Sequence, residues 1–414
     1  MYLSHVRRMM LVVLCCIAHN QLAVANTVST SQFNETGIHP CEALSFKAMS
    51  QLPEITALPN PFLKTDGTTI TDKSDWPCVR AHTRVLFERF ELGEKPPKPQ
   101  KVSGKLEGES LTVNATHLQQ SISFNTKVHY PSKGKAPYPA VISIGWYCLN
   151  KQALDDAGIA VIEFNNNEIA EQQNTGSRGK GKFYQLYGSQ HSASAMIAWS
   201  WGISRIIDVL ADSGQQQIDT KHIGVTGCSR NGKGAIVAGA FDERIALTIA
   251  QESGSGGSAS WRISDYQQSQ GQNVQTQKQI VTENVWFRDN FKQFSGHTTK
   301  IPVDHHQLMG MIAPRGLLVI ENTSMEWLGN QSTYLTAKVA HSIWQALGVP
   351  QNMGVSQLGG HKHCQFPDAQ LPELNAFLAR FLLDDKKADT QVMKTDGEFD
   401  TSVEKWQRWN LPDL

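Results

Sequence analysis

The sequence has no surplus of charge in either sense. Its 414 residues carry 38 Lys and Arg against 38 Asp and Glu, so no net field steers the chain toward nucleic acid. It contains no C-x-x-C pair and no H-E-x-x-H run, which removes the commonest zinc-site spacings. The adjacent histidines His305-His306 and His361-Lys362-His363 are weak metal candidates, and chance pairing explains them better. No apolar run is long enough to span a bilayer, and no segment repeats. The expectation is therefore a monomer with no metal, no cofactor, no nucleic-acid partner and no membrane partner. What the chain does have is apolar content, 40% hydrophobic residues against 18% charged. That composition suits one large α/β domain or two ordinary ones, with a sizeable core. The 10 tryptophans are read as core residues first and as exposed ring platforms second.

Residues 1–25 have the form of an export signal: Arg7 and Arg8, a short apolar run from Met9 to Ala18, and the small-x-small site Ala23-Val24-Ala25 before Asn26. Leu14 precedes Cys15, where a lipoprotein signal would place a small residue, so the expected location is secreted or periplasmic. Removing the signal takes Cys15 and Cys16 and leaves Cys41, Cys78, Cys148, Cys228 and Cys364. An exported chain oxidises some of these, and the odd number leaves one free. Four N-x-S/T sites, at Asn34, Asn114, Asn322 and Asn330, matter only in a host that glycosylates.

Residues 26–100 are rich in Pro, Thr and Asn and read as an irregular N-terminal wrapping segment, which a Cys41–Cys78 bridge can staple. From Lys101 to Tyr130 polar and apolar residues partly alternate, as in a hairpin. Buried strands are expected over Tyr138–Gly145, Ile159–Phe164, Ile223–Gly227, Ile245–Ala250 and Leu317–Glu321. Helices are expected over Ser192–Ala211, over Gly232–Ala240, over Ser332–Leu347 and over Leu371–Leu383. Strands alternating with helices imply a mostly parallel sheet covered on both faces. With an antiparallel hairpin in front, the series matches an α/β-hydrolase fold, a three-layer sandwich over residues 101–385. Residues 386–414 are polar and read as a C-terminal tail.

The chemistry centres on Gly227-Cys228-Ser229-Arg230-Asn231-Gly232-Lys233. A serine on a tight strand-to-helix turn stands above the sheet, beside helix amides that can hold an oxyanion. The G-x-S-x-G pattern is incomplete: Asn231 stands where the second glycine belongs, and Gly232 comes one residue late. Asn231 is expected to take the strained backbone angles. An N-cap serine is the alternative. The base belongs on a late loop, where Gly359-Gly360-His361-Lys362-His363-Cys364 offers two histidines. If His363 meets Ser229, the neighbouring Cys228 and Cys364 come within bridging distance; His361 has no such neighbour. The acid is open between Glu252 and Glu321, with strand position favouring Glu321. Arg230 and Lys233 beside the serine are either a solvated helix face or partners for an oxygen-rich substrate.

Six stretches resemble the glucuronoyl esterases, carbohydrate esterase family 15: VTGCSRNGKGA at 225–235, QESGSGG at 251–257, NVQT at 273–276, VTENVWF at 281–287, WLG at 327–329 and HCQFP at 363–367. The resemblance runs through residues 100 to 385. It implies a metal-free α/β-hydrolase that cleaves the ester between 4-O-methyl-glucuronic acid of glucuronoxylan and lignin alcohols. It implies Ser229 as nucleophile, His363 as base and Glu252 as acid, which reverses the preference for Glu321. Arg230 is then an oxyanion partner, and Lys233, Gln275, Glu283 and Trp327 grip the uronate. A Cys228–Cys364 bridge is also a feature of the fungal members. Ser260 and Thr336 stand where those members carry a further cysteine pair, and Cys148 is left free. Two other readings remain: a secreted acetyl-xylan or feruloyl esterase, and a non-catalytic xylan-binding protein on the same fold.

Overall fold

The computed structural model describes residues 41–414; the export-signal reading and Asn34 lie outside them. Ten strands form one sheet: β1 Lys101–Glu107, β2 Ser110–His117, β3 Gln120–His129, β4 Tyr138–Ile144, β5 Ala160–Phe164, β6 Ile218–Cys228, β7 Ile245–Gln251, β8 Gly316–Glu321, β9 Met353–Gln357 and β10 Met393–Thr395, in the order β1-β2-β3-β5-β4-β6-β7-β8-β9-β10. The first three are an antiparallel meander, with β3 antiparallel to β5, and all later pairings are parallel. The crossed β5-β4 order and the parallel series are those of an α/β-hydrolase.

Side-chain alternation along the strands builds two cores. Val141, Leu247, Ile249, Leu318 and Ile320 point to one face, covered by Leu374, Phe377, Leu378 and Leu382 of the helix Leu371–Leu382. Ala140, Ile142, Ile144, Val225 and Val319 point to the other, under the helices Ala195–Asp212 and Arg230–Phe241. The first of these starts at Ser194, whose Oγ accepts from the Ile197 amide at 3.3 Å. Trp199, Trp201, Trp261 and Trp344 are fully buried, whereas Trp146 and Trp327 are 51% and 37% exposed.

Three segments differ from the sequence expectation. Residues 26–100 are not wholly irregular. Trp76–Phe87 is a helix with Pro77 in its first turn, where a missing N–H has no consequence, and Val79, Val85 and Phe87 are buried. Strand β9 carries few apolar residues, yet all five of its positions are buried between β8 and β10. The segment 386–414 is no free tail: it adds β10 to the sheet edge and buries Trp406 with Leu58, Ile263, Leu335 and Val339. Its apolar residues are too scattered to register as a periodic element. The Cys41–Cys78 bridge is formed, with 5.4 Å between Cα atoms, and joins the start of the described chain to the helix Trp76–Phe87.

Candidate active site

β6 ends at Cys228, and the chain enters the next helix through Ser229 at φ 59°, ψ −127°. A non-glycine residue in that region is strained. The strain thus sits on the serine, not on Asn231, which is the second residue of the helix Arg230–Phe241. The glycines explain the altered pattern. A Cβ on Gly227 would lie 2.4 Å from the Asn231 carbonyl oxygen and 2.9 Å from its Cβ, and one on Gly145 would lie 2.4 Å from Asn231 Nδ2. Two bare glycines therefore make room for an asparagine where the usual elbow has a glycine. Gly232 is needed because a Cβ there would meet the Gln251 carbonyl at 2.7 Å, so the helix start lies directly against β7. The Ser229 amide donates to that same carbonyl at 2.9 Å. The helix's first amides, which have no intrahelical acceptor, lie beside the serine.

Glu252 follows β7 at φ 47° and is fully buried. Its Oε2 accepts from His363 Nδ1 at 2.6 Å, and its Oε1 accepts from the Cys364 amide at 3.0 Å. The Cys228–Cys364 bridge is closed, with 5.8 Å between Cα atoms. It ties the residue before Ser229 to the residue after His363. His361 is spent otherwise: its Nε2 bonds the Leu358 carbonyl at 2.9 Å, Asn322 Nδ2 reaches its carbonyl at 2.9 Å, and its Nδ1 is 3.9 Å from Glu252. Asn322 is buried in this role, so its N-x-S/T site is closed to a glycan.

Glu321, at the end of β8, has no histidine partner among the described residues. Its Oε1 accepts from Ser258 Oγ at 2.7 Å and from the Gly254 amide at 3.1 Å. Burial pushes its carboxyl up to about 7. It braces the loop after Glu252. Lys233, also buried, donates to the Ser253 carbonyl of that loop, and burial pulls its ammonium down to about 8 against the opposing pull of Glu321 and Glu283. Gln275 Nε2 donates to Glu283 Oε2 at 2.5 Å, and the Gln275 amide donates to the Trp327 carbonyl at 3.1 Å. Gln275 thus links Glu283 to Trp327, whose ring is partly open, and the charge of Glu283 also acts on Lys233. The Arg230 guanidinium lies over the Trp286 ring at 6.0 Å, and Trp286 Nε1 donates to Gln172 Oε1 at 2.8 Å. The sequence reading missed Gln172, Trp286 and Asn322, because side-chain hydrogen bonds across 39 to 114 residues leave no periodic signal.

The residues weighed as metal ligands are otherwise engaged. His305 lies between the Gly257 carbonyl and Glu91 Oε1, and His306 Nε2 bonds the Pro59 carbonyl. Cys228, His363 and Cys364 cluster, but both sulfurs are in the bridge. Cys148 is the free cysteine among the described residues, and burial pushes its thiol up to about 12, which leaves it unreactive. Ser260 and Thr336 are joined by a hydrogen bond, Ser260 N–H to Thr336 Oγ1 at 3.0 Å.

The model of the family described as glucuronyl esterase, fungi, matches residues 113–348. The chain belongs to the glucuronoyl esterases. A 4-O-methyl-glucuronoyl methylesterase of Hypocrea jecorina is 49% identical over 353 residues, 85% of this chain and 75% of that one. One of Neurospora crassa is 44% identical over 393 residues, 95% of each. The glucuronoyl esterase catalytic domain of Hypocrea jecorina superposes with a TM-score of 0.85 at 47% identity, covering 90% of this chain and all of that one. A mutant glucuronoyl esterase of Sporotrichum thermophile, solved in complex with methyl 4-O-methyl-β-D-glucopyranuronate, superposes at 0.84 with 45% identity, covering 88% and 97%. This glucuronoyl esterase is therefore a carboxylic ester hydrolase.

Proposed function

We propose that this esterase cleaves the ester between 4-O-methyl-glucuronic acid side chains of glucuronoxylan and lignin alcohols, with Ser229, His363 and Glu252 as its catalytic triad. The observation that carries the triad is the 2.6 Å bond from His363 Nδ1 to buried Glu252, on a loop bridged to the serine turn. Glu252 fixes the imidazole tautomer, leaving Nε2 to serve Ser229. His363 Nε2 takes the Ser229 proton as Oγ bonds to the ester carbonyl carbon. The helix amides and the Arg230 side chain stabilise the oxyanion. The carbon–alkoxy bond breaks, and His363 passes its proton to the departing alcohol. Water, deprotonated by His363, then cleaves the glucuronoyl–Ser229 bond, and the proton returns to Ser229.

Lys233, Gln275, Glu283 and Trp327 hold the uronate ring. Their mixture of donors and acceptors around a half-exposed indole suits a ring with several hydroxyls, whereas an acetyl group has none and a feruloyl ring has only one. Two disulfides support action outside the cytoplasm, and among the described residues no helix is long and apolar enough to cross a membrane. The test is a panel of methyl glucuronate, acetyl-xylan and methyl ferulate. Wild type is expected to turn over the glucuronate ester fastest, and Ser229→Ala to abolish that turnover with the fold intact. Retained turnover in Ser229→Ala overturns the triad; preference for acetyl-xylan or ferulate overturns the substrate.

A further inference from the structure

A cavity adjoins the serine turn. It has a volume of about 530 Å³ and lies at the carboxyl ends of β4 and β5, lined among others by Asn125, Gly145, Trp146, Asn166, Gln172 and Asn231. Openings at strand carboxyl ends are where α/β sheets take ligands. It is a built site. Asn166 and Asn231 are 3% and 1% exposed. Asn166 Nδ2 donates to Asn231 Oδ1 at 3.1 Å, but Asn231 Nδ2 and Asn166 Oδ1 take no hydrogen bond among the described residues. Both residues line the cavity, and a donor and an acceptor left without a protein partner there are costly unless a ligand or water meets them. Above them Trp146 holds its indole 51% exposed on the residue after Gly145. Gln172 joins this cavity to Trp286, which carries the Arg230 guanidinium.

We propose that this cavity is the subsite for the departing alcohol, with Trp146 as a specificity-determining residue that favours aromatic alcohols bearing polar substituents. The inference rests on the proposed function and sharpens it. The ester carbon held at Ser229 has two substituents besides its carbonyl oxygen, the uronate ring and the alkoxy group. The ring's partners come from the β7 and β8 side of β6: Gln275 and Glu283 follow β7, and Trp327 follows β8. The alkoxy group is directed across β6 to the β4 and β5 side, where Trp146 supplies an aromatic face and the two amides supply a donor and an acceptor for hydroxyl or ether oxygens.

The experiment compares methyl and benzyl esters of 4-O-methyl-glucuronic acid, alcohols of nearly equal acidity, so that a difference in KM or kcat/KM reports binding rather than leaving-group chemistry. Trp146→Ala is expected to lose about 5- to 20-fold in kcat/KM on the benzyl ester, mostly through KM, and to leave the methyl ester within about two-fold, in line with the value of one aromatic contact. Trp146→Phe is expected to restore most of the loss. Equal losses on both esters, or none, overturn the subsite while the proposed function stands. So does a loss confined to a methyl ester carried on a xylo-oligosaccharide, which would assign the cavity to the sugar chain. A wild type inert to both esters overturns the proposed function and this subsite together.

Discussion

Glu252 follows β7 and Glu321 ends the adjacent β8, and both are fully buried. Among the described residues, only Glu252 of the two bonds a histidine. On that geometry Glu252→Gln is expected to lower kcat/KM by at least ~10²-fold through loss of the imidazole tautomer, and Glu321→Gln by less than ~10-fold. Steady-state kinetics on methyl glucuronate decide it, and the reverse order would return the acid role to Glu321. Glu321 also makes a prediction about stability. Its carboxyl is raised from 4.5 to about 7, so between those values the folded state binds more protons than the unfolded state. Stability therefore falls as pH rises through that window. Glu321→Gln removes this contribution, and its melting temperature is expected to fall less steeply than wild type between about pH 4.5 and 7. The residual slope comes partly from Glu88, which burial also raises to about 7. An unchanged slope in Glu321→Gln would refute the assignment.

The serine turn, the Glu252 turn and the His363 loop come from three separate connections, and the Cys228–Cys364 bridge joins the first to the last across 136 residues. Closing so long a loop restricts the unfolded chain, worth about 2–5 kcal/mol. Replacing both cysteines by serine is expected to lower the melting temperature and also kcat, since His363 is then held only by Glu252. Full kcat with a lowered melting temperature would make the bridge a matter of stability alone. The elements themselves were unevenly legible. β4, β7 and β8 stand out because near-continuous burial demands near-continuous apolar sequence. β9 does not, because Gly354, Ser356 and Gln357 are buried by their neighbours in the sheet rather than by their own hydrophobicity. The helix Trp76–Phe87 was hidden by Pro77, which reads as a breaker until its place in the first turn is known.

At the scale of the whole molecule, the two ends of the described chain meet. Leu58 from the N-terminal segment and Trp406 from the C-terminal one share a small core with Ile263, Leu335 and Val339. Trp406→Ala is expected to cost about 3 kcal/mol, read as a fall of several degrees in a thermal melt, with the esterase activity of the folded protein retained. An unchanged melt would show that the C-terminal segment contributes no stability.

Local pattern alone determined the alternation of strands and helices, the serine at a strand-to-helix turn, and the cysteines that flank the serine and one histidine, because periodicity and chain adjacency are properties of sequence. His363 and Glu252 were already favoured by the flanking cysteine and by the family resemblance; the tertiary structure added that these two are hydrogen-bonded to each other while His361 and Glu321 bond elsewhere. It moved the backbone strain from Asn231 to Ser229, and it brought Trp146 and two half-satisfied asparagines to the edge of the site. Each of those outcomes depends on which distant groups spend their hydrogen bonds on one another, and the packed sheet alone sets that.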